Sequence, residues 1–172
     1  MTDSTDIGAN AIRIYQEGDF VNAARLFGEA ASFFQVQGNE LDAAEMKNNQ
    51  SVALLQAGDA QGSFDAASGT AQIFFANQDF RRQGMALGNE ASALAAMGKL
   101  DDAIQTYLLS ADALKNAGED QLSATVMQAV AGIQMRKGKV MDALLSMRLG
   151  LASVKEPTLK QKILLGMLKF RP

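Results

Sequence analysis

Glycine recurs at Gly18, Gly58, Gly98 and Gly138, forty residues apart each time, and this spacing constrains the fold more than any other feature. A glycine just past a helix terminus adopts the left-handed conformation without a Cβ clash, so each one marks where a helix stops and another starts. The residue after each glycine is charged: Asp19, Asp59, Lys99 and Lys139. Five residues after each comes a small one, Ala23, Ser63, Ala103 or Ala143. Six after come Ala24, Phe64, Ile104 and Leu144, and nine after come Phe27, Ala67, Tyr107 and Met147. The pattern continues through Ala31, Ala71, Ala111 and Leu151 to Phe34, Phe74, Leu114 and Val154. Within one unit, residues 103, 104, 107, 110, 111 and 114 form a stripe of helical period.

A second set of breaks falls at the half-period. Gly38 and Gly118 occupy it in two units, and Asn77 with Gln78 stands in for glycine in another. Asn also tolerates the left-handed conformation, so the departure from glycine there is mild. The unit is therefore a helical hairpin of forty residues. The expected helices run over 5–17, 20–36, 40–57, 60–76, 79–97, 100–117, 119–137, 140–154 and 158–169. Only 2 prolines interrupt the chain, 48% of it is apolar and 20% charged, which suits helices with a buried core and argues against disorder. The methionines, denser toward the C-terminus, are expected to fill gaps in that core.

The glycine, the small residue five later, the aromatic or large apolar residue at nine and the small residue at thirteen resemble the tetratricopeptide pattern. The run GKLDDAIQTYLLSADAL, Gly98 to Leu114, is similar to its second helix, and NQSVALLQAGDAQGSFDAA and NEASALAAMGKLDDA supply the preceding half. The forty-residue period resembles the longer variants, such as those of kinesin light chains, more than the 34-residue form. The signature tryptophan is missing, and Leu151 replaces the small Ala of the other units. The resemblance implies an all-α fold, a right-handed α-α superhelix (a tetratricopeptide-repeat solenoid) of four hairpins plus a C-terminal capping helix. It forms a single domain over 1–172, with repeats at 1–38, 39–78, 79–118 and 119–157. The last helix, about 158–172, maps onto the first helix of a fifth unit and is expected to cover the apolar edge of the stack.

In the family this chain resembles, the first helix of each hairpin lines the concave wall, and the expected function is binding a peptide or partner segment there. Asn49 and Asn89 share one column, nine residues before their glycines, and Ala9 and Ala129 hold it in the outer units. An Asn amide offers a donor and an acceptor, so it can pair with a peptide backbone whatever the side chains. Glu45, Gln56, Met85 and Arg136 complete the expected peptide-binding set. A chaperone-tail clamp is not expected, because Gly8 occupies its first-unit cation column and Met85 and Asn89 stand where cations belong.

No Cys and no His are present, which removes thiolate chemistry, the usual zinc sites and the commonest general base. The expectation is therefore no enzyme, no cofactor and no metal site. The polar, acidic opening from Met1 to Asn10 has no secretory character, so a cytoplasmic protein is expected. Residues 1–80 carry 3 Lys/Arg against 11 Asp/Glu, and residues 81–172 carry 13 against 8. Solvated surface is the simple reading of that asymmetry, and end-to-end self-assembly into a homo-oligomer is the alternative. The basic end, with Lys155, Lys160, Lys162, Lys169 and Arg171 interleaved with Ile163, Leu164, Leu165, Met167, Leu168 and Phe170, reads as a cap first and a membrane-surface helix second. With an overall charge of −3, no nucleic-acid partner is expected.

Overall fold

A computed structural model of the chain describes residues 4–169, with the backbone alone at 4–6 and 169. Expectations that involve Met1 to Asp3, the Lys169 side chain or Phe170 to Pro172 lie outside the described residues. The described residues are all-helical: α1 (Ser4–Gln16), α2 (Phe20–Val36), α3 (Glu40–Gln56), α4 (Ala60–Ala67), α5 (Thr70–Ala76), α6 (Phe80–Ala96), α7 (Leu100–Asn116), α8 (Asp120–Arg136), α9 (Val140–Ala152) and α10 (Leu159–Lys169). Apart from α4 and α5, which pack instead on α3 and α6, consecutive helices pack on one another along the chain, and α3 also touches α6, the first helix of the next unit. This order makes the arrangement repeat-like.

Every turn between α1 and α9 that falls on the twenty-residue grid has one geometry. The Gly98 N–H donates to the Ala95 carbonyl and the Lys99 N–H to the Leu94 carbonyl, the paired bonds of a Schellman helix ending. The same two bonds recur after Gly18, Gly38, Gly58, Gly118 and Gly138. Each of these glycines has a positive φ, from 73° to 87°, Gly98 standing at 78°. At the turn without glycine, one residue of the Asn77–Gln78 pair takes the left-handed position. Asn77 stays at φ −96°, and Gln78 takes the left-handed position at φ 59°. Register decides this: Gln78, not Asn77, is the residue whose N–H must reach Phe75 while Asp79 reaches Phe74.

The residue after each turn also starts the next helix. The side chains of Asp19, Asn39, Asp59 and Asp79 accept from the N–H three residues on, in Asn22, Asp42, Gly62 and Arg82. Lys99, Glu119 and Lys139 occupy the same position without a side-chain cap bond. Each Asp or Asn cap stabilises its helix by about 1 kcal/mol. Part of the acidic bias of the first half therefore has a local structural use.

One expected helix is broken. Residues 60–76 form α4 and α5, separated at Ser68 (φ −57°, ψ 129°) and Gly69 (φ 83°, ψ −15°), the dihedrals of a type II turn. The Thr70 hydroxyl donates to the Ala67 carbonyl at 2.7 Å and so spans the break. The forty-residue grid is kept across the break: Ala67, Thr70, Ala71 and Phe74 hold their repeat positions and are all buried.

Packing explains the small-residue columns. Ala23, Ser63, Ala103 and Ala143 are all buried, as are Ala31, Ala71, Ala111 and Leu151. The neighbouring column, Ala30, Thr70, Ser110 and Gly150, is buried in every unit as well. A Cβ added at Gly150 would stand 2.6 Å from Met127 Cβ, and one at Gly84 would stand 2.5 Å from Leu114 Cγ, so the helices approach too closely there for a larger residue. Small hydroxyls take their bonds across those contacts: Ser51 with Ser63 at 3.0 Å, Ser110 to the Gly84 carbonyl at 2.6 Å, and Ser123 to the Ala111 carbonyl at 2.9 Å. The core is a series of clusters, each shared between hairpins, one of them joining Leu94, Ala103, Ile104, Val130 and Ile133.

α10 continues the grid. Thr158 and Gln161 form a reciprocal capping box at its start. Gln161 Nε2 then donates to Gln121 Oε1 of α8, forty residues earlier, at 2.9 Å. The expected capping helix covers α9 only in part, and Leu144 of α9 stays exposed.

Two substitutions at the turns test this account. Gly98→Ala should lower stability by about 1 kcal/mol or more in urea unfolding, since alanine is strained at that φ. Gln78→Gly should raise it by about 0.5 kcal/mol, the relief of left-handed strain exceeding glycine's entropy cost.

Candidate functional site

The predicted binding residues lie mainly on the first helices of the two central hairpins. Glu45, Asn49 and Gln56 follow one another on α3 at spacings of four and seven, which places them on one face of that helix. Met85 and Asn89 occupy the corresponding positions on α6, which packs directly against α3. Glu45 and Asn49 are half-buried, Met85 and Gln56 exposed. Arg136, exposed at the end of α8, lies one hairpin further along and is not brought into the α3–α6 group.

The two asparagines differ in their surroundings. Asn49 makes no side-chain hydrogen bond among the described residues, so its donor and acceptor are available. Asn89 is half-buried, and its Nδ2 donates to Asn48 Oδ1 on α3 at 3.4 Å, a long bond. Asn48 is itself buried and accepts also from the Thr70 hydroxyl at 3.4 Å. One amide therefore engages its neighbouring hairpin and the other does not.

An ion network flanks this strip. Arg82 on α6 donates to Glu45 on α3 at 2.9 Å and to Asp79, while its guanidinium lies 5.2 Å from the centre of the Phe74 ring. Burial alone would raise the Asp79 carboxyl, but the backbone N–H and guanidinium of Arg82 outweigh it and hold it below the ordinary value. Glu45 is thus a tether between successive first helices as well as a surface carboxylate. Glu90, next to Asn89, has no cation or hydrogen-bond partner among the described residues, and burial lifts its carboxyl above the usual glutamate range.

Sequence reasoning passed over Asn48, Arg82 and Glu90. Gly8, Gly88 and Gln128 share the column of Asn48, so repetition gives no signal there, although Asn48 stands directly before Asn49. Arg82 was readable only as one of an adjacent cationic pair.

Among the described residues no group of three or more His, Cys, Asp or Glu could hold a metal ion, and no helix is long and apolar enough to cross a membrane. An open cleft of about 590 Å³ between α2 and α3, edged by Arg25, Lys47 and Gln50, includes none of the predicted residues. No protein-family model matches the chain, and no curated protein matches it in sequence.

The Glu90 environment sets a pH dependence. Its folded carboxyl binds a proton more readily than the unfolded one, so this group opposes folding when ionised. Stability from it rises as pH falls through the raised folded value, and the gain is complete below the ordinary glutamate value. Glu90→Gln should therefore stabilise the protein at pH 7, with a benefit that shrinks toward pH 4, as read by urea unfolding at the two pH values.

Proposed function

We propose that this chain is a protein-interaction module of the tetratricopeptide type, which holds an extended segment of a partner protein along the first helices of its hairpins. Its four hairpins, at about 1–38, 39–78, 79–118 and 119–157, form the solenoid, and α10 opens a fifth unit. The recurring Schellman turns, and the buried residues five, twelve and thirteen positions after the repeat glycines, small in every case but Leu151, support that assignment. The role is one of binding without catalysis, in the cytoplasm, with no cofactor.

The observation that carries the binding reading is the strip on α3 and α6. Asn49 has an amide with no partner among the described residues, Met85 offers an exposed flexible apolar contact beside it, and Asn89 stands at the repeat-equivalent position on the adjoining helix. An amide can satisfy a peptide unit in both directions, and a thioether adapts to varied side chains. The Asn89–Asn48 bond is long enough to be exchanged for a ligand carbonyl at small cost.

Replacing Asn49 and Asn89 together with Ala should change stability by less than about 1 kcal/mol, because one side chain is unpaired and the other weakly paired. Affinity for the partner should fall by about 1–3 kcal/mol as hydrogen bonds leave a desolvated contact. The measurement is affinity capture, then titration of whatever the wild type retains, comparing wild type and double variant at matched stability. Identical capture profiles and affinities would remove the asparagines from the site.

A further inference from the structure

One column of the first helices is apolar in every unit but one. Ile7, Leu87, Met127 and Met167 stand forty residues apart in it, and Lys47 of α3 takes the remaining place. Met127 is buried there, and Lys47 is half-buried. Its ammonium gives up part of its hydration, yet it has no anionic partner among the described residues. What Lys47 faces is open volume, the cleft of about 590 Å³ between α2 and α3. That volume falls within the range of small-molecule sites. Arg25 stands on the opposite wall, on α2. These two are the only Lys/Arg of residues 1–80 besides Arg13, in a stretch with 11 Asp/Glu, and both line one cleft.

We propose that this cleft binds the phosphate group of a phosphorylated ligand, held between Arg25 of α2 and Lys47 of α3, with the Gln50 amide as a third donor. Lys47 stands two residues from both Glu45 and Asn49, about 200° round the helix. The cleft is therefore a separate surface from the α3–α6 strip, and the proposal does not rest on the groove reading.

Gly28 gives the cleft its shape. A Cβ there would stand 2.6 Å from Gln50 Nε2, so the glycine lets the Gln50 amide lie against α2. That amide makes no hydrogen bond among the described residues, which leaves its donors for a ligand. Arg25 donates through Nη1 to Glu29, and its Nε and Nη2 remain for an anion. Glu29 also lines the cleft and offsets one of the two positive charges. A singly charged carboxylate therefore competes poorly with Glu29 for the guanidinium. A phosphate ester brings close to two charges and three acceptor oxygens, enough to meet cations on two walls and an amide at once. The rest of the volume, beside Ala31 and Ser32, takes the organic part of the ligand.

The test titrates the nitrogen-15-labelled full chain in NMR at constant ionic strength. The probes are N-acetyl-O-phosphoserine amide, which stands for a phosphorylated side chain, and glycerol 3-phosphate, which stands for a free ester; acetate is the carboxylate control. At least one phosphate ester should give saturable shifts centred on the Gly28 and Ser32 amides and the Gln50 side chain. Its affinity should exceed that of acetate at least fivefold, and the tighter of the two esters identifies the source of the phosphate. Lys47→Met gives α3 the residue that α8 carries as Met127, so it should weaken binding tenfold or more with no fall in the urea midpoint. Arg25→Gln should weaken binding to a similar degree, Glu29→Gln should tighten it at least twofold, and Lys162→Gln should leave it unaltered. No saturable shifts, shifts spread over the lysine-rich second half, or an equal response to acetate would overturn the proposal. So would wild-type affinity in both Lys47→Met and Arg25→Gln. A Lys47→Met chain that unfolds at lower urea, with Arg25→Gln binding as wild type, would assign Lys47 to the fold alone.

Discussion

The structure depends on a two-residue turn used seven times. One residue, at positive φ, closes the preceding helix, and the next both completes that closure and begins the following helix. Because the same residue ends one element and starts another, the turn leaves no slack, and the helices fall on a twenty-residue grid. That grid places residues forty apart in equivalent environments, which is why small-residue columns can exist at all. A turn one residue longer would rotate the following helix by about 100° and move its apolar stripe off the core. Gln78 shows how strong the constraint is: the chain accepts a side chain in the left-handed region rather than change the turn.

Close approach is the second consequence. With Ala, Ser, Thr or Gly in the contact columns, backbones come near enough for hydroxyls to reach carbonyls of the next helix. Few large side chains are then needed, and of the large ones Phe74, Leu151 and Val130 are the most completely buried. Thr70 is the bulkiest member of its column. It is also where the helix is interrupted and where the chain links the turn to Asn48 through hydrogen bonds. The second hairpin is therefore the irregular unit, and it adjoins the α3–α6 strip on which Asn49 and Met85 lie.

Turn positions, helix lengths and the 103-to-114 stripe were legible in the sequence because they repeat, and a repeated signal averages over local exceptions. Three features resisted for the same reason. The Ser68–Gly69 break was hidden under the continuous second helix of the other units, although Ser-Gly is a recognised local breaker. The Ala30, Thr70, Ser110 and Gly150 column mixes an apolar residue, two hydroxyls and a glycine, so hydropathy does not mark it; only size unites it. Asn77 and Gln78 were readable as the stand-in turn, but residue preference did not single out Gln78, which register puts in the left-handed position. The binding residues were less legible still. Asn49 and Asn89 repeat, but whether an amide is free depends on a neighbour such as Asn48, whose own column carries no pattern.

Charge follows the same grid. Asp19, Asp59 and Asp79 cap helices in the first half, and Lys99 and Lys139 fill the same position in the second. Lys99 finds a different use, lying 5.9 Å from the Phe64 ring centre on the preceding second helix. The exchange of Asp for Lys at one repeated position thus moves charge from one end of the molecule to the other without altering the turn. Positions fixed by backbone geometry leave their side chains free to vary, and here that freedom adds to the difference in charge between the two halves of the chain.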